Sequence, residues 1–148
     1  MNIRRATLAD IPSMMHLDRH SPAAAHWTQE QYRQAFQHEG PDRLLLVAES
    51  SSGILGFLVA LHLAPEWELE NIVVAPTSRR EGIGKRLLNT LLAAANETNS
   101  SAVFLEVRDS NAAAQTFYEE AGFNHTGRRK SYYTDPAEDA VLYRLTLN

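Results

Sequence analysis

Helical and strand-like spacings of apolar residues alternate along this chain. After the candidate N-cap Thr7, apolar residues recur at the spacing of one helix face. A second helical segment opens at the capping-box pair Thr28 and Gln31, and we expect it to run through His38 until Gly40-Pro41 stops it. The apolar positions of the first helix are Ile11, Met14, Met15 and Leu17.

Shorter alternating or fully apolar runs, bounded by turn residues, predict the strands. They cover residues 3–6, 44–49, 54–63, 66–74, 102–108, 129–133 and 140–147. Two further helices separate the later strands: one over 84–96, and one that Asn111 caps and Gly122 ends. The order βα-αβββ-αβ-αββ predicts antiparallel hairpins first and helix crossovers in the second half.

The strand over 66–74 changes character along its length. Glu66, Glu68 and Glu70 alternate with apolar residues, whereas the run from Ile72 is uniformly apolar. This change favours either a β-bulge or the passage of the strand from a half-solvated position into a buried one. The glutamates either attract a cationic amine or form a solvated strand face, and for Glu66 we favour the second interpretation.

Composition indicates one globular domain, residues 1–148. The chain has 148 residues, of which 44% are hydrophobic and 22% charged, and this is enough for one buried core. The net charge of −4 argues against broad nucleic-acid binding, since that requires a basic surface. The absence of cysteine excludes disulfides, a thiolate nucleophile and a cysteine metal site.

The sequence contains no evident targeting or membrane segment. The N-terminus, Met1-Asn2-Ile3-Arg4-Arg5, lacks the apolar stretch of a signal peptide, and no apolar run approaches the length of a membrane span. We therefore expect a cytoplasmic protein that does not bind membranes. His16 and His20 have a spacing seen in zinc sites, but no third ligand is evident and we expect no metal.

Two glycines and three basic residues fill segment 79–85, between a strand and a helix. Glycines let a ligand approach the backbone, and the free N–H groups at a helix start favour an anion. The segment therefore predicts a phosphate site, or more simply a turn with a basic surface pair. A P-loop would need Ser or Thr at position 86, which is Arg86. A dinucleotide fingerprint would need a third glycine at position 87, which is Leu87.

A second group of polar residues follows the strand over 102–108. Glu106 lies near the end of that strand, Asn111 precedes the next helix, and Tyr118 lies about two turns into it. Glu106 is either a functional carboxylate or a residue on the wetter strand face. Tyr118 lies on the apolar helix face, so that it is a core residue, a functional phenol, or both if its hydroxyl reaches a cleft.

These segments resemble the GNAT superfamily of acetyl-CoA-dependent N-acyltransferases. The pattern Arg79-x-x-Gly82-x-Gly84 resembles its coenzyme-A pyrophosphate loop, and residues 106–123 resemble the second half of its cofactor site. Segments 25–28, 70–74 and 127–133 are similar to the ribosomal-protein-alanine N-acetyltransferase (RimI-like) branch. The resemblance covers nearly the whole chain.

The resemblance implies an α+β fold, a mixed and mostly antiparallel sheet of about seven strands flanked by four helices. It implies acetyl-CoA as co-substrate, without a metal. The implied cofactor-binding residues are Ile72, Val73, Val74, Arg79, Arg80, Glu81, Gly82, Ile83, Gly84, Lys85, Asn111 and Tyr118. The backbone of residues 72–74 should bind the pantetheine arm like an added strand, and an N–H there can polarise the thioester oxygen.

Acetyl transfer to an amine requires a neutral amine, a stabilised carbonyl oxygen and a protonated leaving thiolate. An α-amino group has a pKa of about 8, compared with about 10.4 for lysine, so a modest base suffices at neutral pH. The resemblance assigns Glu106 as this base and the phenol of Tyr118 as the acid. Because no cysteine is present to carry an acyl group, we expect direct attack in a ternary complex.

We assign five residues to the acceptor side: Trp27, Glu70, Asn71, Tyr132 and Tyr133. Trp27 either walls the acceptor pocket or packs on the start of its helix. Tyr132 and Tyr133 are adjacent in a strand and should point to opposite faces, so we expect only one of them to line the cleft. Together with the loop from Glu39 to Arg43, they should form the surface that selects the acceptor.

The leading hypothesis is acetyl transfer to the α-amine of a protein N-terminus, as the ribosomal-protein-alanine resemblance implies. One alternative is the same reaction on a lysine, polyamine, amino acid or drug. Another is a coenzyme-A-binding module without turnover, against which the presence of Glu106 and Tyr118 argues. We expect no nucleic-acid partner, and either a monomer or a homodimer.

Overall fold

A computed structural model describes residues 1–21, 24–37 and 42–147. Within these ranges, seven strands and four helices occur in the predicted order. The strands are β1 Asn2–Arg5, β2 Arg43–Ser50, β3 Gly53–Leu63, β4 Glu66–Val74, β5 Ala102–Arg108, β6 Asn124–Tyr133 and β7 Glu138–Thr146. The helices are α1 Ile11–Arg19, α2 Gln29–Ala35, α3 Ile83–Glu97 and α4 Ala112–Glu120.

The strands form one sheet in the order β1-β2-β3-β4-β5-β7-β6. All neighbouring strands run antiparallel except β4 and β5, which run parallel because α3 crosses over between them. The predicted mixed α+β architecture is therefore confirmed.

Hydrophobic clusters cover both faces of the sheet. The larger cluster contains Leu88 of α3 and Leu46 of β2. The smaller cluster contains Met14 of α1, Tyr32 of α2 and Leu45 of β2. Since successive strand residues point to opposite sides, the two clusters lie on opposite faces and all three helices are anchored to the sheet.

The first helix begins later than its N-cap predicts. Thr7 caps a 3₁₀ turn, Leu8–Asp10, and its N–H donates to the Asp10 carboxylate at 2.7 Å. The α-helix proper begins at Ile11, with Pro12 in the first turn where its missing N–H has no cost.

The second helix begins as predicted and ends earlier. Thr28 and Gln31 form the expected capping box. The helix ends at Ala35 because the chain tightens at Phe36, whose N–H bonds to the carbonyl three residues back. The predicted end at His38 and the stop at Gly40-Pro41 lie outside the described residues.

The fourth helix ends in the predicted Schellman motif. Gly122 has a φ of 99°, and the Phe123 N–H donates to the Tyr118 carbonyl at 3.0 Å. Phe123 is 3% exposed and packs in the larger cluster with Tyr118. The helix end therefore directs this turn of α4 into the core.

The sixth strand is longer than predicted. It begins at Asn124 rather than at Arg129, and it is the edge strand beside β7. Most of its residues are exposed, so its polar sequence carries no apolar alternation from which a strand could be identified.

Candidate active site

The parallel strands β4 and β5 pair only briefly and then separate. The registered pairs are residues 66, 67 and 68 with residues 102, 103 and 104. No pair follows in the part of the chain that the structure describes, although β4 continues to Val74 and β5 to Arg108. A cleft therefore opens between them, and the β5 side of residues 69–74 has no strand partner there. Such an edge can bind an extended, amide-bearing ligand as an added strand.

A bulge in β4 lies at the start of this cleft. The consecutive β3 residues 59 and 60 are registered with Asn71 and Leu69, so Glu70 has no partner opposite. The extra residue exchanges the two faces of the strand: Leu69 packs in the larger cluster and Val73 in the smaller one. The change of pattern in the sequence is therefore a bulge.

The turn from β4 to α3 has the geometry of the predicted phosphate site. Gly82 is the N-cap of α3 with a φ of 77°, which glycine adopts without strain. A Cβ at Gly82 would meet no atom within 4 Å, so this backbone faces open space. A cavity of about 280 Å³, here called the anion cavity, is lined by Val74, Ser78, Arg79, Arg80, Gly82, Ile83, Gly84, Lys85 and Phe117.

The chemistry of the anion cavity is cationic. Arg79, Arg80 and Lys85 are exposed around the first N–H groups of a 15-residue helix, whose dipole favours negative charge. The donor set fits a diphosphate. Glu81 is exposed and does not line this cavity, so its predicted cofactor contact has no geometric support.

A second cavity, of about 320 Å³, lies between β4, β5 and the end of β6. We call it the carboxylate cavity. It is lined by Ala24, Ala25, Trp27, Glu68, Leu69, Glu70, Asn71, Glu106, Val107, Arg108, Asn111, Tyr132 and Tyr133. All five residues assigned to the acceptor side, together with Glu106 and Asn111, therefore meet at one place.

Glu106 is held in this cavity by an ion pair. Its Oε1 lies 3.0 Å from Nε of Arg129, and its side chain is 16% exposed. The nearby negative charge of Glu106 raises the pKa of Tyr132. Burial and then Glu106 raise the pKa of Tyr133 to about 12. Both phenols therefore remain protonated donors at neutral pH.

Both tyrosines line the carboxylate cavity, although only one was expected to. The expectation assumed a regular strand. Ser131 has a φ of 51°, and the pairing of β6 with β7 is irregular between Arg129 and Tyr133. The kink breaks the alternation of side chains and brings the two rings to a centroid distance of 5.1 Å.

Glu68 also lines this cavity; the sequence named it among three glutamates that could attract a cationic amine but did not assign it to the site. Burial, and then the charges of Glu70 and Glu106, raise its pKa. Glu70 is paired with Arg43 at 2.9 Å, and Glu106 is paired as described, whereas none of the described residues forms an ion pair with Glu68. A cationic group that enters the cavity would meet this carboxylate. The alternation of glutamates with apolar residues in β4 was the sequence feature that indicated this carboxylate.

Two asparagines support the cavity from its edges. Asn111 caps α4, its Oδ1 accepting from the Ala114 N–H at 3.1 Å. Asn71 is 7% exposed, and its Oδ1 accepts from the Ala25 N–H at 3.4 Å. Asn71 therefore joins β4 to the segment before α2, which we call the acceptor loop, residues 24–28.

Tyr118 lies in the larger hydrophobic cluster. It is 5% exposed, and its ring centroid lies 5.2 Å from Phe117 and 5.6 Å from Phe123. Burial raises its pKa. It lines neither of the two cavities among the described residues, while its neighbour Phe117 lines the anion cavity. Tyr118 is therefore a core residue, as one of the two interpretations predicts. Its hydroxyl forms no hydrogen bond with the described residues.

Residues 1–21, 24–37 and 42–147 contain neither a metal-binding cluster nor a membrane-spanning helix. No group of three His, Asp or Glu side chains there is arranged to hold a metal ion. None of the helices in those ranges is long and apolar enough to cross a membrane. The rings of His16 and His20 contact each other at a centroid distance of 4.3 Å, with their planes tilted by 39°.

Known proteins are similar to this chain in sequence and in architecture. The model of the Acetyltransferase (GNAT) family matches residues 11–123. The [ribosomal protein bS18]-alanine N-acetyltransferase of Escherichia coli (strain K12) is 30% identical over 141 residues, covering 94% of this chain and 93% of that protein. The putative enzyme of the same name from Bacillus subtilis (strain 168) is 30% identical over 99% of this chain and 95% of its own length.

Solved structures agree with this relationship. The crystal structure of the Escherichia coli ribosomal-protein-S18-alanine N-acetyltransferase superposes with a TM-score of 0.83, covering 99% of this chain and 94% of that one. Chaetomium thermophilum Naa20, in complex with a bisubstrate analogue, is 26% identical, with a TM-score of 0.86 over 99% of this chain and 87% of that one. The chain therefore belongs to the GNAT family of acetyl-CoA-dependent N-acetyltransferases.

Proposed function

We propose that this enzyme transfers acetyl from acetyl-CoA to the α-amino group of a protein N-terminus, by direct attack in a ternary complex. The observation that carries the proposal is the carboxylate cavity at the point where β4 and β5 separate. It offers negative charge to an ammonium group beside an unpaired strand edge. The bacterial relatives named for ribosomal-protein alanine support an N-terminal acceptor, which would place the reaction in the cytoplasm.

The fit of coenzyme A rests on two features. The anion cavity supplies Arg79, Arg80, Lys85 and helix N–H groups, which suit the diphosphate. The edge of β4 at residues 72–74 offers backbone groups that suit the amides of the pantetheine arm. Bound acetyl-CoA supplies the thioester carbonyl carbon that the amine attacks.

Glu106 is the proposed proton acceptor. Its carboxylate lies in the cavity, where the ion pair with Arg129 fixes its position. Glu68 adds a second negative charge that draws the ammonium group in. An α-ammonium group loses its proton readily because its pKa is only about 8, so a carboxylate acting directly or through water is sufficient.

Tyr118 is the proposed proton donor to the departing sulfur. Burial keeps its phenol protonated, and the uncommitted hydroxyl is free to donate. Its position on α4, next to Phe117 at the anion cavity, supports a place on the cofactor side rather than on the acceptor side. The ring packing then positions the hydroxyl.

The acceptor is held by groups from three elements. Trp27 and the Tyr132–Tyr133 pair form aromatic walls, while Glu70 and Asn71 form the floor at the bulge. A cavity of about 320 Å³ takes the first residue of a chain and leaves the rest outside. Residues 39–41 of the loop expected to select the acceptor lie outside the described residues.

A matched set of peptides tests the proposal. One peptide carries a free N-terminal alanine and one internal lysine; its partner has the same sequence with the α-amine blocked. We expect thiol release with the first peptide only, and mass spectrometry should place the acetyl group on the α-nitrogen. Equal turnover of both peptides would assign the activity to lysine. Turnover of small amines alone would refute a protein acceptor, and tight acetyl-CoA binding without any turnover would indicate a binding module.

A further inference from the structure

Asp18 is a buried carboxylate that the proposed chemistry does not use. It lies near the end of α1 and is 1% exposed. No ion pair involves it among the residues that the structure describes. Burying such a group is unfavourable unless hydrogen bonds replace its water.

Three donors satisfy the Asp18 carboxylate. The His26 N–H donates to Oδ1 at 2.9 Å, and the Trp27 N–H donates to Oδ2 at 3.0 Å. The Tyr32 hydroxyl also donates to Oδ2, at 2.5 Å. Two of the three donors are backbone groups of the acceptor loop, and the third lies on the helix that follows it.

The acceptor loop needs this support because its backbone is strained. His26 has a φ of 55°, in the left-handed region that residues other than glycine seldom adopt. Its ring Nε2 lies 2.7 Å from the Ser21 carbonyl oxygen. Asn71 holds the loop from the β4 side through the Ala25 N–H. The loop is therefore fixed between Asp18 in the core and the floor of the carboxylate cavity.

We propose that Asp18 is a positioning residue for the acceptor: it holds the Trp27 backbone so that the indole forms a wall of the carboxylate cavity. Asp18 acts on the acceptor loop directly, through two backbone N–H groups, and through Tyr32 on the following helix. None of the residues that line the anion cavity contacts Asp18, so we expect acetyl-CoA binding to change little. The test by peptide kinetics rests on the proposed function, whereas the test by Trp27 fluorescence does not.

The substitution Asp18→Asn isolates this role. It keeps the shape of the side chain but replaces one acceptor oxygen with an NH₂ donor, which leaves one loop N–H facing a donor. Asp10→Asn is the matched control. Asp10 is also buried, at 7% exposed, and its carboxylate also accepts a backbone hydrogen bond, from the Thr7 N–H. None of its hydrogen bonds involves a residue of the acceptor loop.

Kinetics with the N-terminal alanine peptide give the first readout. We expect Asp18→Asn to raise the KM for the peptide about tenfold, because misplaced binding groups weaken orientation, while the KM for acetyl-CoA stays within about twofold. Asp10→Asn should leave both KM values within about twofold. An unchanged peptide KM in Asp18→Asn, or equal rises for both co-substrates, would overturn the proposal.

Trp27 fluorescence gives a readout that needs no acceptor. The chain has two tryptophans, so Trp67→Phe leaves Trp27 as the sole indole. In that background, acrylamide quenching should rise with Asp18→Asn and stay unchanged with Asp10→Asn. Equal quenching in the Trp67→Phe parent, its Asp18→Asn variant and its Asp10→Asn variant would refute the positioning role, even if no peptide is turned over. If Asp18→Asn does not fold, Tyr32→Phe removes one of the three hydrogen bonds and should raise quenching above that of the Trp67→Phe parent; no rise would again refute the role.

Discussion

Two glutamates on the same face of β4 are expected to respond oppositely to the same substitution. Glu68 lies in the carboxylate cavity without an ion pair among the described residues, and burial followed by its acidic neighbours raises its pKa. Glu66, two residues earlier, is paired with Arg144, and this hydrogen bond lowers its pKa. Glu68→Gln removes a charge that opposes folding, whereas Glu66→Gln removes one that supports it.

The sign of each effect follows from the direction of the pKa shift. A raised pKa means that the native state binds the proton more tightly than the unfolded chain, so the cost of charged Glu68 is present above its native pKa and vanishes as the pH falls below the ordinary value of 4.5. A lowered pKa means that the contribution of Glu66 is present above 4.5 and is lost as the pH falls through its native pKa.

The magnitudes differ because Glu66 has an ion-pair partner and Glu68 has none among the described residues. Relieving the half-buried, unpaired charge of Glu68 should stabilise the protein by about 1 kcal/mol, or about 2–4 °C in Tm for a domain of this size. The Glu66 side chain is paired with Arg144 and is 28% exposed, so solvent screens the pair in part and its loss should cost only about 0.5 kcal/mol.

Thermal unfolding of both variants at about pH 7.5 and about pH 3.5, on either side of the carboxyl pKa, measures these effects. At the higher pH, the Tm of Glu68→Gln should lie above that of the parent and the Tm of Glu66→Gln slightly below. At the lower pH the Tm of Glu68→Gln should converge with that of the parent. Glu68→Gln should also raise the KM for the acceptor peptide, and Glu66→Gln should not. A lower Tm for Glu68→Gln at neutral pH would refute the assignment of an unpaired, unfavourable charge.

Three other substitutions test the remaining parts of the site. Tyr118→Phe should lower kcat by about a hundredfold without lowering Tm or acetyl-CoA affinity, as measured by thiol release and calorimetry; an unchanged kcat would leave Tyr118 a core residue only. Glu106→Gln should reduce activity most at low pH, where the amine is mostly protonated; a pH–rate profile of unchanged shape and height would exclude Glu106 as the base. Gly82→Val should weaken coenzyme-A binding by more than about tenfold in calorimetry, since it strains a left-handed position in the anion cavity; an affinity within about twofold of the parent would refute that cavity as the phosphate site.

The sequence predicts most of the fold because local rules agree there with tertiary packing. The capping box at Thr28 and the Schellman end at Gly122 are found where their residues predict them. The glycine and basic residues of segment 79–85 line one cavity because a strand-to-helix turn is a local structure. The edge strand β6 was too short in the prediction because an exposed strand carries no hydrophobic period.

The geometry of the carboxylate cavity was less predictable because it depends on breaks in regular structure. The separation of β4 from β5 follows from non-local pairing, of which the sequence carries no local sign. The left-handed Ser131 turns both tyrosines toward one cavity, although no glycine marks that position. Asp18 has the sequence context of an ordinary helical residue, and only the folded chain shows that it holds the acceptor loop.

The most direct test of the proposed site is the position of acetyl-CoA in a crystal structure of the complex. We expect the diphosphate on the N–H groups and basic side chains of segment 79–85, and the pantetheine arm along residues 72–74 with the acetyl group toward Glu106. A nucleotide bound elsewhere, with side chains filling the cleft between β4 and β5, would contradict it.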